Sequence, residues 1–269
     1  MVRRRNSTVD HLLGAWLWMA LLAISLTVSP ARGRAEAVSH CSEENFEDSK
    51  LTVCSFDPTK TKLRMFWKAP DGAPLKSFAR LAEEVTSGGK QLVFAVNGGM
   101  YSESFEPVGL YIEDGHELRP VNTKTMTGSP GSIPNFYKKP NGIFFLTGSD
   151  AGILTTEEYL SRPRTVQFAT QSGPMLVMKN ELHPALIPGS TDKTRRSGVG
   201  ISKDGIIHFA ISEDDINFHA FARFFRDQMK CPNALFLDGG RGAGIYSEHL
   251  GRSDWSWHGG FGPMIGVVE

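Results

Sequence analysis

Ala234-Leu235-Phe236-Leu237-Asp238-Gly239-Gly240-Arg241-Gly242-Ala243-Gly244 sets an apolar run directly against a carboxylate and a glycine-rich turn. A run of this length bounded by turn residues reads as a buried strand, and the glycines let the following backbone pass close to whatever the strand's end faces. Asp238 then stands at the tip of a buried strand. Gln91-Leu92-Val93-Phe94-Ala95-Val96 runs into Asn97-Gly98-Gly99 in the same form. Two buried strands that each end in a polar residue and two glycines imply one cleft built from both ends.

Working outward, the segment before Asp238 carries the clearest helical pattern. Phe218, Phe221, Ala222, Phe225 and Met229 form one apolar face, Asn217 or Asp215 can cap it, and Lys230-Cys231-Pro232-Asn233 ends it. Leu75, Phe78, Ala79, Ala82 and Val85 recur at helical spacing before Gly88-Gly89, and Thr155 to Glu158 has capping-box spacing, predicting a short helix that stops near Pro163. Elsewhere the pattern is strands. Leu63 to Trp67 is followed by Val108–Ile112 and Glu117–Val121 around Glu113-Asp114-Gly115-His116. Gly142–Leu146 and Ile153-Leu154 flank a turn over 148–152, and Thr165–Thr170, Met175–Met178, Val199–Ser202, Ile206–Ile211 and a C-terminal strand from Phe261 to Val268 complete the series. Thr125 to Pro140, rich in Gly, Ser, Pro and Asn, reads as a long loop. With no internal linker or fixed-period repeat, the expected fold is α+β: a single domain with mixed, largely antiparallel sheets and a few flanking helices.

The 269 residues are 40% hydrophobic and 22% charged, with Lys+Arg and Asp+Glu equal at 29 each. That supports a sizeable core and excludes nucleic acid as the main partner. Arg3, Arg4 and Arg5, an apolar run from Leu12 to Val28, and Ala35-Glu36-Ala37 read as a secretory signal over residues 1–37, leaving a domain over 38–269. A retained membrane anchor is the competing reading of the same run, and the membrane otherwise has no part. The expected location is exported, periplasmic or secreted. In an oxidising compartment a Cys41–Cys54 disulfide would staple the new N-terminus, and the remaining Cys231 reads as a small buried residue.

Asn97-Gly98-Gly99, Gln171-Ser172-Gly173, Arg195-Arg196-Ser197-Gly198 and Asp238-Gly239-Gly240 each lie at or beside a strand end. Asp, Asn, Gln and Ser read sugar hydroxyls, while arginine and glycine amides hold phosphate oxygens, so a sugar phosphate satisfies both sets. The plain alternatives are tight turns and solvated arginines. Ser172 lacks the context of a nucleophile elbow, and His183, His208, His219, His249 and His258 lack zinc-ligand spacing. Trp255 and Trp257, near His258, read either as a stacking platform for a sugar ring or as core.

Asn97-Gly98-Gly99-Met100-Tyr101, Pro107-Val108-Gly109-Leu110, Asn135 to Gly142, Gln171-Ser172-Gly173-Pro174, Arg196-Ser197-Gly198-Val199-Gly200, Asn217-Phe218 and Leu237-Asp238-Gly239, in this order, resemble the phosphodiester glycosidase family. The resemblance implies hydrolysis of a sugar-1-phosphodiester to free sugar and phosphomonoester. It maps Asn97, Arg196 and Asp238 onto the family's polar positions, and Gly98, Gly99, Gly239 and Gly240 onto its glycine turns. In these roles Asp238 is the carboxylate near the anomeric carbon. Arg196 holds the leaving phosphate with help from glycine amides, Asn97 and Gln171 orient hydroxyls, and Ser172, Asn217 and Arg241 join the substrate contacts. Arg241-Gly242 departs from the third glycine and serine that follow in the best-known branch. Glu213 or Asp214 is either a second carboxylate or a helix opener. No cofactor and no metal ligand set is implied, a divalent cation such as calcium stays open as an aid, and the expected partner is a small sugar phosphodiester or a cell-envelope glycan. The competing functions are a non-catalytic saccharide- or phosphate-binding envelope protein and a structural envelope protein.

Overall fold

The computed structural model describes residues 40–129, 131–162 and 164–269. The signal segment 1–37 and the helix stop at Pro163 lie outside the described residues. The strand leading to Asp238 is Asn233–Gly239, and it sits inside a seven-stranded sheet. The spatial order is His40–Phe46, Ser49–Phe56, Ile207–Ser212, Arg196–Ile201, Asn233–Gly239, Met175–Met178 and Glu181–Leu182. Leu92–Asn97 belongs to a second, five-stranded sheet with Arg252–Ser253, Ile245–Ser247, Met264–Val268 and Leu63–Phe66. His116–Arg119, Tyr111–Glu113, Phe168–Ser172, Gly142–Thr147 and Asp150–Thr155 form the third.

The fold is α+β, rich in sheet and poor in helix. Among the described residues every strand pairing is antiparallel, which narrows the expected mixed sheets. The reason is visible at the main helical connection. The chain leaves Ile207–Ser212, passes through the helix Phe218–Arg223, and returns on the far side of Arg196–Ile201, so the two like-directed strands never become neighbours.

Alternation along Asn233–Gly239 divides the core. Leu235 and Leu237 enter a cluster that also takes Val199 and Phe209 from the first sheet, Phe94, Val96 and Ile265 from the second, and Tyr111, Phe144 and Phe168 from the third. Ala234 and Phe236 turn the other way, onto Phe221, Phe224 and Phe225. Phe224 was outside the expected apolar face. The helix widens to a π turn over Phe224–Gln228, and the extra residue brings two successive phenylalanines onto the sheet. Helix Phe78–Ser87, capped by Ser77, covers the second sheet through Phe78 and Leu81. The Thr155–Glu158 capping box opens Thr156–Leu160 as expected.

Two local expectations change. The strand after Thr147 resumes at Asp150, so the turn is shorter than 148–152, and Trp255 and Trp257 are exposed rather than core. Cys41 and Cys54 are disulfide-bonded cross-strand partners. Cys231 is buried against Gly200, and burial pushes its thiol up to about 12. No helix among the described residues is long and apolar enough to cross a membrane.

Candidate active site

A register shift decides where Asp238 points. Gly198 lies opposite Phe236, but Ser197 lies opposite Asp238, so Leu237 is an extra residue on its strand. A bulge of this kind puts two successive residues on one face. Strict alternation would send Asp238 to the helix side with Phe236. The bulge instead turns it with Leu237 and Ser197 towards the loop that carries Tyr101. There Asp238 lies in a cavity of about 340 Å³ lined also by Tyr101, Ser102, Glu103, Phe105 and His258.

Very little compensates the Asp238 charge. Its one hydrogen bond is the Gly239 amide donating to Oδ1 at 2.8 Å, and no cation pairs with it among the described residues. Burial therefore dominates and lifts the carboxyl from 3.8 to about 6, with the Gly239 bond pulling weakly the other way. Gly242 packs on the carboxylate so closely that a Cβ there would collide with Oδ2. Tyr101 completes the wall. Its phenol donates to the Gly260 carbonyl at 2.9 Å, and burial, reinforced by the Asp238 charge, pushes it up to about 12, so it stays protonated. The Tyr101 and Phe105 rings stack at 5.7 Å.

Asn97 is linked through Ser197 to the main chain of Asp238. Its Nδ2 donates to Ser197 Oγ at 2.9 Å, and Ser197 Oγ donates to the Asp238 carbonyl at 3.0 Å. Asn97 Oδ1 accepts from the Gly244 amide, so the side chain ties the ends of the two buried strands together. The loop that follows Asn97 and the end of the Asp238 strand both line the cavity. Asn97 itself is buried behind it.

Several expected contacts are occupied by the protein itself. Gly98 and Gly99 donate their amides to Pro263 O and Thr170 Oγ1, and Gly240 donates to Arg195 O. The first two glycines are needed for packing, since a Cβ at Gly98 would meet Pro263 O at 2.9 Å and one at Gly99 would meet Gln171 O at 2.5 Å. Gln171 Oε1 accepts from Leu110 and Asn122 amides while its Nε2 donates to Asn122 O and Thr156 Oγ1. Ser172 donates to Leu237 O, and Asn217 caps its helix by accepting from the Ala220 amide. These groups build the loops around the cleft.

Arg196 is likewise held by partners within the protein. It is 1% exposed, donates from Nε to Ile216 O at 2.8 Å, and lies 3.5 Å over the Phe218 ring. Its side chain leaves the sheet on the helix side, opposite to the side the bulge gives Asp238. Burial lowers the guanidinium to about 10, so it keeps its charge at neutral pH. A separate cavity of about 480 Å³ opens near it, between the 125–139 loop and residues 185–192, with Lys138, Asp192 and Phe218 in its lining. Arg241, by contrast, is exposed on the turn directly after Asp238-Gly239-Gly240 and has no ion pair among the described residues.

Glu213 is committed to Arg252 and Thr52, and Asp214 accepts from the Lys50 amide. The second carboxylate of the Asp238 cavity is Glu103, which sequence reading missed together with Tyr101 and His258. Tyr101 ends the quoted Asn97-Gly98-Gly99-Met100-Tyr101 motif and His258 follows the tryptophan pair, so position was their signal; Glu103 stands two residues past that motif. No group of three or more His, Cys, Asp or Glu among the described residues is placed to hold a metal ion.

The sequence profile of the phosphodiester glycosidase family matches residues 90–261, from the strand before Asn97 to the loop after His258. The chain belongs to this family. It is 32% identical over 218 residues to the uncharacterized protein YigE of Escherichia coli K12, covering 80% of this chain and 81% of that one. Among solved structures it resembles the catalytic domain of zebrafish N-acetylglucosamine-1-phosphodiester alpha-N-acetylglucosaminidase, auto-inhibited by its pro-peptide. That match has a TM-score of 0.57 and 17% identity, and covers 84% of this chain and 81% of the other. A hypothetical protein from Synechocystis matches at a TM-score of 0.52 and 12% identity over 85% of this chain and 61% of its own length. At these identities the structural matches establish a shared fold. The family match spans both buried strands and the loops that enclose Asp238.

Proposed function

We propose that this protein is an exported hydrolase that cleaves the bond between a sugar's anomeric carbon and a phosphate oxygen in a sugar-1-phosphodiester. The observation that carries the reading is Asp238, an unpaired carboxylate in an aromatic-walled cavity of a phosphodiester glycosidase family member. In the reaction the C1–O bond breaks, water adds to C1, and the phosphate leaves with the bonding electrons as a phosphomonoester. Such a leaving group is stable as an anion, so departure needs no strong general acid, and the developing oxocarbenium charge at C1 is what the site has to stabilise. Ionised Asp238 supplies that negative charge and accepts the proton of the attacking water. Arg241 supplies the exposed positive charge for the phosphate, and Glu103 lies on the same cavity as a second carboxylate.

The apolar run with its Ala-Glu-Ala end and the Cys41–Cys54 disulfide support export. The test is the purified protein with an aryl phosphodiester of N-acetylglucosamine. Release of free sugar that disappears in Asp238→Asn supports the hydrolase. Binding without turnover supports a saccharide-binding protein instead, and turnover that survives Asp238→Asn contradicts the assignment.

A further inference from the structure

Trp255 and Trp257 are 60% and 65% exposed, and their rings lie side by side with centroids 3.9 Å apart. Two large aromatic side chains left in water together need an explanation, because a packed core was available to them. Their loop is fixed at both ends. Asp254, immediately before it, accepts from Arg195 at 2.8 Å and from Arg252 at 2.9 Å, and the Ile245 amide donates to it as well. At the other end Gly260 accepts the Tyr101 phenol, and between the two tryptophans Ser256 is buried and accepts from the His258 amide. The pair is thus presented on an anchored frame. His258, the residue after Trp257, lines the Asp238 cavity, so the exposed pair stands one residue along the chain from its wall.

We propose that Trp255 and Trp257 form a subsite that stacks a further pyranose ring, so that the substrate carries at least one sugar beyond the one whose C1–O bond is broken. The C–H face of a pyranose is apolar and flat enough to lie on an indole, while its hydroxyls stay in water at the exposed rim. This inference rests on the reading of the Asp238 cavity as a sugar site. It narrows the substrate class from a single sugar phosphodiester to an oligosaccharide or glycan phosphodiester.

The test is a binding titration of the processed chain, followed by tryptophan emission and by calorimetry, with N-acetylglucosamine, its trisaccharide and the glucose trisaccharide as probes. Of the tryptophans in the described residues, Trp67 is buried, so emission changes report the exposed pair. At least one trisaccharide is expected to bind about tenfold tighter than the monosaccharide, with a blue shift. Trp255→Ala/Trp257→Ala should abolish that gap at an unchanged melting temperature, and Trp255→Phe/Trp257→Phe should retain part of it. Equal affinity for monosaccharide and both trisaccharides, or a gap that survives the double alanine variant, overturns the proposal. Binding of the pair to phosphatidylglycerol vesicles without any trisaccharide preference also overturns it. Because the titration needs no turnover, a gap without hydrolysis would remove the hydrolase and keep the subsite. Hydrolysis without a gap would do the reverse.

Discussion

Arg196 and Asp238 stand almost opposite each other on paired strands, and the protein treats their charges in opposite ways. Arg196 is enclosed: two backbone carbonyls, from Ile216 and Asp192, accept its N–H groups, and the Phe218 ring stacks beneath it. Asp238 is left with a single amide and a cavity. A charge whose hydrogen bonds are used up by the fold acts as architecture, whereas a buried charge left short of partners marks where an outside group is expected. Asn97, Gln171 and Asn217 are buried and internally satisfied like Arg196, whereas Glu103, His258 and Arg241 are exposed to water.

The sharpest way to break this contrast is to remove the enclosed charge. Arg196→Ala leaves two carbonyls without their donors and a void against Phe218, so it should lower unfolding free energy by about 3 kcal/mol. Turnover per folded molecule should change far less, and denaturant melts with active-site titration separate the two. Removing the other charge should have the opposite sign. A carboxyl whose folded pKa is raised binds its proton more tightly when folded. Its contribution to stability is therefore fully present below 3.8 and is lost as pH rises through about 6. Asp238→Asn should accordingly be more stable than wild type by about 2 kcal/mol at pH 8 and equal to it near pH 3.5, measured by denaturant melts at the two pH values.

Smaller effects sharpen the picture around the carboxylate. Gly242→Ala puts a methyl group against Asp238 Oδ2 and should displace it, lowering kcat about tenfold with little change in Tm. Arg241→Ala removes an exposed charge from the turn that follows Asp238. It should raise KM for an anionic substrate a few fold, about 1 kcal/mol or less, with kcat nearly constant and with the difference shrinking at high salt.

The strand to Asp238, the Asn97 strand end, the Cys41–Cys54 pair and the Thr155–Glu158 cap were legible because each is a local pattern with one physical solution. Which way Asp238 turns was not. In Ala-Leu-Phe-Leu-Asp every residue before the carboxylate is apolar, so nothing in the run reveals the extra residue at Leu237. For the same reason Arg195 and Arg196 could not be told apart. One pairs with Asp254 and the other lies over Phe218, a difference that register alone decides. Glu103 and His258 come from loops far apart in the chain, and only the closing of the three sheets on a common core brings them to one cavity.

The most direct test of Asp238 as the working carboxylate is the pH dependence of kcat/KM for an aryl phosphodiester of N-acetylglucosamine between pH 4 and 9. Activity should rise through an apparent pKa of about 6 as Asp238 ionises, and Asp238→Asn should abolish the activity across the range. A profile with no inflection near 6, together with undiminished turnover in Asp238→Asn, would contradict it.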